Sequence, residues 1–177
     1  ALTIDETGMA MTADRKLEIA KRLVAFCEQR GLRRGDLLID ALTFTVCSGD
    51  GALRDAAKET LAAIRRIQAE LPGVRTLLGL SNISFGLKPP ARKVLNTVFL
   101  DRCVKAGLDA CIINTSTLVP LTDLAPAAVR LAEKLLDNET ADGDPLELFI
   151  QHFETAAPEA EAGAAGAAQT PEEQVAA

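Results

Sequence analysis

Apolar positions along the chain alternate between short unbroken runs and longer stretches with helical spacing. "ALTID" (1–5) reads as a strand, and "ETGMAMT" as the loop after it. Leu17, Ala20, Leu23, Val24 and Cys27 then recur three and four residues apart, which predicts a helix over 12–30 with Thr12 as N-cap and Gly31 as its end. "DLLIDALTF" (36–44) is almost wholly apolar and predicts a strand covered on both faces. Leu53, Ala57, Leu61, Ile64 and Ile67 mark a second helix, closed by Pro72 and Gly73. "VRTLLGLS" (74–81) is the next strand. Pro89 and Pro90 open a third helix with Val94, Val98, Phe99 and Val104 inside and Gly107 at its end. "DACIINT" (109–115) is a fourth strand, followed by a helix over about 123–137.

Four strands, each followed by a helix, predict a parallel sheet. The polar groups cluster just after the strands: Asp5 and Glu6, Asp40, Ser81 and Asn82, Asn114. Chemistry at the carboxyl ends of parallel strands suits an α/β fold of the (β/α)8 TIM-barrel type, here with only four units. Four strands cannot close a barrel, so an open four-stranded sheet is the alternative. A strand already under way at residue 1 points to a cut chain. Residues 1–142 form the expected β/α body, and 143–154 a short helix ("DPLELFIQHFE"). Residues 155–177 are Ala-rich and acidic, with Val175 as their one large aliphatic, and read as a flexible tail or linker.

Composition narrows the picture. Of 177 residues 48% are apolar, but there are six Phe and no Trp or Tyr, so the core must be aliphatic. The net charge of -6 falls to about -2 once the four acidic residues after Glu154 are set aside. Without a basic stripe or an aromatic stacking platform, nucleic acid is not the expected partner. No apolar run is long enough to span a membrane. The four cysteines lack the spacing of a zinc knuckle or a redox motif, and a reducing cytoplasm is the expected location. His152, the one histidine, has no partner at metal-ligand spacing, and no metal is expected.

The side chains with chemical promise are few. Asp40 interrupts an apolar run, and a carboxylate there must be paired or hydrogen-bonded. It could accept from a ligand's N–H groups or cap the next loop. Asn82 carries both a donor and an acceptor without charge, so it can follow a ligand nitrogen through a change of protonation, or tie down its own loop. Gly79 and Ser81 leave room for a flat ring against the backbone. Arg92 could pair with a ligand carboxylate or remain solvated at the start of its helix. Asp5 and Glu6 read better as loop caps than as acid–base groups.

"IDETGMAMTADRKLEIAKRL", "LLIDALTFTVCSG" and "TLLGLSNISFGL…ARKVLNTVFLDRCVKAGLDACIIN" resemble, in order and spacing, the pterin-binding domain of cobalamin-dependent methionine synthase. The corrinoid/iron–sulfur-protein methyltransferases share that domain. The resemblance covers about residues 1–140 and implies the last four β/α units of a (β/α)8 barrel. It implies binding of 5-methyltetrahydrofolate at the strand ends and transfer of its N5 methyl group to cob(I)alamin on another domain or protein. By the same resemblance Asn82 lies beside pterin N5 as the catalytic group, Asp40 hydrogen-bonds the pterin, and Gly79, Ser81, Arg92 and Ile112 line the pterin or meet its p-aminobenzoate-glutamate arm. Asn96 braces the loop. The family's first four strands, with another Asp and Asn for the pterin, are not in this chain, so a second polypeptide supplying them is an expected partner. The corrinoid-ligand pattern D-x-H-x-x-G does not occur either. Two rival readings are a non-catalytic or incomplete half-barrel and a dihydropteroate synthase. The second fits poorly, because that family has a Ser-Arg-Lys type motif where this chain has Ser81-Asn82-Ile83.

Overall fold

In the computed structural model, which describes residues 1–155, three strands form a parallel sheet: β3 (Leu38–Asp40), β4 (Arg75–Gly79) and β5 (Ala110–Ile112). Before them come two short strands, β1 (Ile4–Asp5) and β2 (Gly8–Met9), and the helix α1 (Ala13–Glu28). The remaining helices are α2 (Ala56–Glu70), α3 (Pro89–Lys105), α4 (Pro126–Leu136) and α5 (Pro145–Thr155). The expected flexible tail lies outside the described residues, apart from Thr155, which closes α5.

The chain enters alongside β3. Leu2 bridges to Asp40 in parallel, the Thr3 N–H donates to the Asp40 carbonyl at 3.0 Å, and the Asp40 N–H donates to the Ala1 carbonyl at 2.7 Å. The expected strand over 1–5 therefore splits. Residues 1–3 extend the sheet, while Ile4 and Asp5 turn away to pair antiparallel with Gly8 and Met9, inside the segment expected to be loop. The Asp5 carboxylate holds this hairpin to α1. It accepts from the Thr7 N–H and hydroxyl and pairs with Arg15 and Arg22. The Thr7 hydroxyl, its backbone N–H and the two guanidinium groups hold its pKa below the usual carboxylate value.

Neighbours in the sheet are neighbours in sequence. Crossovers of one hand in that order place the helices on one face. Side-chain exposure follows the pleat. Ile39, Thr76 and Leu78 point toward the helices and are fully buried, whereas Leu38 and Ile112, on the opposite face, are 38% and 67% exposed. Leu2 and Ile4 are exposed as well. The second strand is thus covered on one face, not two. Its strand character also ends at Asp40, four residues early, because Leu42 adopts φ +59° and its N–H turns back to the Asp40 carboxylate at 2.8 Å. The architecture is α/β with a parallel sheet, consistent with part of a TIM-barrel fold, and the barrel is not closed.

The core between sheet and helices is aliphatic, as the composition requires. Leu17, Ala20 and Val24 of α1, Ala57, Ile64 and Ile67 of α2, and Leu95, Val98 and Phe99 of α3 are buried within it. Val104 is an exception to the expected inner face of α3, at 60% exposed. Leu95, Phe99 and Cys103 repeat every four residues, and Val104 falls outside that stripe. All four cysteines are unpaired. Among the described residues no helix is long and apolar enough to cross a membrane.

The last helix belongs to the body. Phe149 is fully buried and stacks edge-on against Phe153 at 5.1 Å. Phe149→Ala should cost about 3–5 kcal/mol, the usual range for a buried phenylalanine, read as a fall in the urea midpoint. A value near zero would mean that α5 is a loose appendage.

Candidate functional site

The strand register decides which side chains can meet. Asp40 pairs with Leu77, and Gly79 pairs with Ile112. Leu77 and Gly79 are two residues apart on β4, so they share a face. Asp40, Gly79 and Ile112 consequently stand on the open face, each at the last position of its strand. The sheet thus presents a row made of a carboxylate, a bare backbone and an aliphatic side chain.

After Gly79 the chain tightens into a 3₁₀ turn, Leu80–Ser84, whose inner residues Leu80 and Ile83 are buried. This turn points Asn82 outward and folds its amide back over the strand end. A Cβ placed on Gly79 would lie 3.3 Å from Asn82 Nδ2. Gly79 has φ -77°, a value open to any residue, so the close approach of the amide is what favours glycine here. Among the described residues the Asn82 side chain takes no hydrogen-bond partner. Asp40 is half satisfied: Oδ1 accepts from the Leu42 N–H, and Oδ2 has no partner among the described residues.

Arg92 is tied into the same loop. Its Nε donates to the Ser84 hydroxyl at 3.1 Å and its Nη2 to the Ser81 carbonyl at 3.3 Å, leaving Nη1 without a partner among the described residues. The Ser84 hydroxyl in turn donates to Asn96 Oδ1 at 2.8 Å, and Asn96 is buried. Arg92 and Asn96 therefore clamp the turn that carries Ser81 and Asn82. Cys47 sits close by, its thiol 3.5 Å from the Ile83 carbonyl. Burial pushes that thiol up to about 11, against the opposing pull of the Thr45 hydroxyl and the Arg92 charge, so it stays protonated at neutral pH.

A group that the sequence reading missed lies behind Asp40. Lys16 of α1 is fully buried, and its ammonium donates to the Thr60 hydroxyl at 2.7 Å and to the Leu42 carbonyl at 3.1 Å. Its Nζ also lies 5.5 Å from the centre of the Phe44 ring. Burial lowers its pKa from 10.5 to about 8, with Glu59 and Asp40 pulling the other way. The signal was in the sequence: Lys16 falls in phase with Ala13, Leu17 and Ala20 on the apolar stripe of α1. Thr43, next to Leu42, buries a hydroxyl that has no partner among the described residues.

A groove of about 600 Å³ among the outer helices is lined by Lys58, Arg65, Arg102, Lys105, Glu133 and Asp137. Several of its charges are satisfied within the protein, Arg102 by Asp137 and Lys105 by Asp101. The groove lies among the outer helices and not at the carboxyl ends of the strands.

The family model described as "Pterin binding enzyme" matches residues 2–114, a span that includes Asp40, Gly79, Ser81, Asn82, Arg92 and Ile112. The chain belongs to the pterin binding enzyme family. Two similar proteins are named methionine synthase. Methionine synthase of Mycobacterium tuberculosis (strain ATCC 25618 / H37Rv) is 45% identical over 156 residues, covering 87% of this chain and 13% of that protein. Methionine synthase of Mycobacterium leprae (strain TN) is 43% identical over 155 residues, covering 86% of this chain and 13% of the relative. The chain spans 13% of the length of these relatives, and the pterin-binding match takes in β3, β4 and β5 with the turns that follow the first two.

Two measurements check this geometry. Gly79→Ala should leave the fold intact but displace the Asn82 amide, visible as a shift of its side-chain NH2 resonances. Lys16 should make stability depend on alkaline pH. A lysine whose folded pKa lies below its unfolded one folds more readily as the neutral amine. Lys16 should therefore contribute stability that rises as pH climbs from about 8 to 10.5, while the buried thiols work the other way, so the stability difference between the parent chain and Lys16→Met in urea titrations should change over that window.

Proposed function

We propose that this chain supplies one half of a pterin-binding (β/α)8 barrel, its last four β/α units, and that the assembled barrel transfers the N5 methyl group of 5-methyltetrahydrofolate to a corrinoid on another domain or protein. The observation that carries this reading is the shared rim: Asp40, Gly79 and Ile112 end their strands on one face, and the Asn82 amide folds over Gly79. The methionine synthase relatives support the methyltransferase class.

In this reading Asp40 accepts hydrogen bonds from N–H groups of the pterin ring through its unpartnered oxygen. Gly79 is the flat floor beneath the ring, Ser81 borders it and Ile112 packs against its edge. The remaining N–H of Arg92, Nη1, faces the carboxylate-bearing arm. The reaction breaks a bond between carbon and a tertiary amine nitrogen. The departing amine anion is too basic to leave unaided, so N5 must gain a proton or a strong hydrogen bond before or during transfer. Asn82 can accept from a protonated N5 and donate to an unprotonated one without bearing charge, which stabilises the transition state more than the ground state. The corrinoid, when another module presents it, supplies the nucleophile. The residues of this chain bind, orient and exclude water.

The open face supports the half-barrel part. Leu2, Ile4, Leu38 and Ile112 expose apolar surface that a closed barrel would cover, and among the described residues β5 ends the sheet with no strand on its outer side. A polypeptide carrying four more strands would meet both needs. A cytoplasmic location suits the four free thiols.

In the assembled barrel, Asn82→Ala should lower the methyl-transfer rate by about 10²–10³, the range for one lost transition-state donor, and change folate affinity far less. Equal falls in rate and affinity would make Asn82 a binding contact only. Asp40→Asn should act the other way, weakening folate binding about tenfold or more, as expected for a lost charged hydrogen bond.

A further inference from the structure

Two local rules are broken at one peptide. Lys16 buries an ammonium in an aliphatic core, where an apolar side chain of similar length would cost nothing in desolvation. Leu42, a branched residue with no side-chain hydrogen bond to offer, sits in the left-handed region at φ +59°. Strained backbone of this kind persists only where its surroundings hold it, and it concentrates at functional sites.

The contacts connect the two. The Leu42 carbonyl accepts from the Lys16 ammonium at 3.1 Å and from the Thr60 hydroxyl at 3.1 Å. The same hydroxyl accepts from Lys16 at 2.7 Å, so the three groups close a ring of hydrogen bonds. On its other side the Leu42 N–H donates to Asp40 Oδ1 at 2.8 Å. Lys16 thus pins the carbonyl of the residue whose N–H pins the Asp40 carboxylate. Around the ammonium stand Glu59, which itself accepts from the Ala13 N–H at the start of α1, and the Phe44 ring.

We propose that Lys16 is a positioning residue for Asp40: from the outer helix it locks the left-handed Leu42 peptide, which fixes one carboxylate oxygen and leaves the other aimed at the pterin. This rests on the reading of Asp40 as a pterin contact. Lys16 touches no substrate. Its ammonium is held behind the sheet by the Leu42 carbonyl and the Thr60 hydroxyl, where it does not compete for the ring.

The test uses Lys16→Met, which keeps the volume and removes the donor. In the full chain, exchange of the Leu42 amide should speed up about tenfold or more relative to core amides such as that of Leu95, and the Asp40 Cγ resonance should move. A merely space-filling lysine would change neither, and that result would overturn the proposal. Should Lys16→Met fail to fold, Thr60→Val removes the shared hydroxyl and must give the same two signs, with the same result counting against. In the assembled barrel, titration with 5-methyltetrahydrofolate separates the two readings. If Lys16 acts through Asp40, Lys16→Met should weaken binding, and adding it to Asp40→Asn should weaken it no further. Additive losses would overturn the positioning role. If Asp40→Asn leaves affinity unchanged, Asp40 is not a pterin contact, and the Leu42 exchange and Asp40 resonance alone decide whether Lys16 holds the carboxylate.

Discussion

The ladder of the parallel sheet is the constraint on which the site depends. Backbone hydrogen bonds pair Asp40 with Leu77 and Gly79 with Ile112. A slip of one residue at either pairing would send Asp40 or Ile112 to the helical side, because side chains alternate along a strand. The buried partners of the other parity, Ile39 and Leu78, oppose that slip by filling the core against the helices. Aliphatic packing on the covered face therefore holds the polar rim on the open one, and neither set of residues has a stable place without the other.

The rim departs from the economy of the rest of the molecule. Elsewhere charges meet near the surface, as at Arg33 and Asp36 or Arg102 and Asp137, and such exposed pairs contribute little. Behind Asp40 a single cation is buried, and beside it Leu42 is held in an unfavourable conformation and the Thr43 hydroxyl has no partner among the described residues. These costs gather around the segment that follows β3, with Lys16 reaching in from α1. The turn after β4 is built differently, with Arg92, Ser84 and Asn96 clamping it from α3. Two adjacent strand ends are thus stiffened by two independent devices, one reaching up from α1 and α2, the other from α3.

Much of the fold was legible along the chain. Helical spacing at Leu17, Ala20 and Val24, the Pro pair that opens α3 and the runs at 36–44, 74–81 and 109–115 located the elements, because each pattern follows from the period of its backbone. The edges were less legible. The run "DLLIDALTF" was apolar enough for a strand covered on both faces, yet the strand stops at Asp40 and is covered on one, because exposure depends on what packs opposite. Val104 looked like a core residue until the four-residue stripe of Leu95, Phe99 and Cys103 set the buried face of α3. Lys16 was visible as a charge in an apolar stripe, but nothing local says that its ammonium reaches Leu42.

The sequence by itself determined the order of the three parallel strands and the α-helices, an aliphatic core, and polar residues at the strand ends, since each is a matter of local period or residue type. Its motifs also carried the pterin-binding resemblance. Only the tertiary structure decided that Asp40, Gly79 and Ile112 share a face, that Asn82 turns over Gly79, and that Arg92 is committed to the loop. Those are consequences of register and of contacts between residues far apart in the chain, such as Lys16 with Thr60, and the period of a single element carries no information about its neighbour.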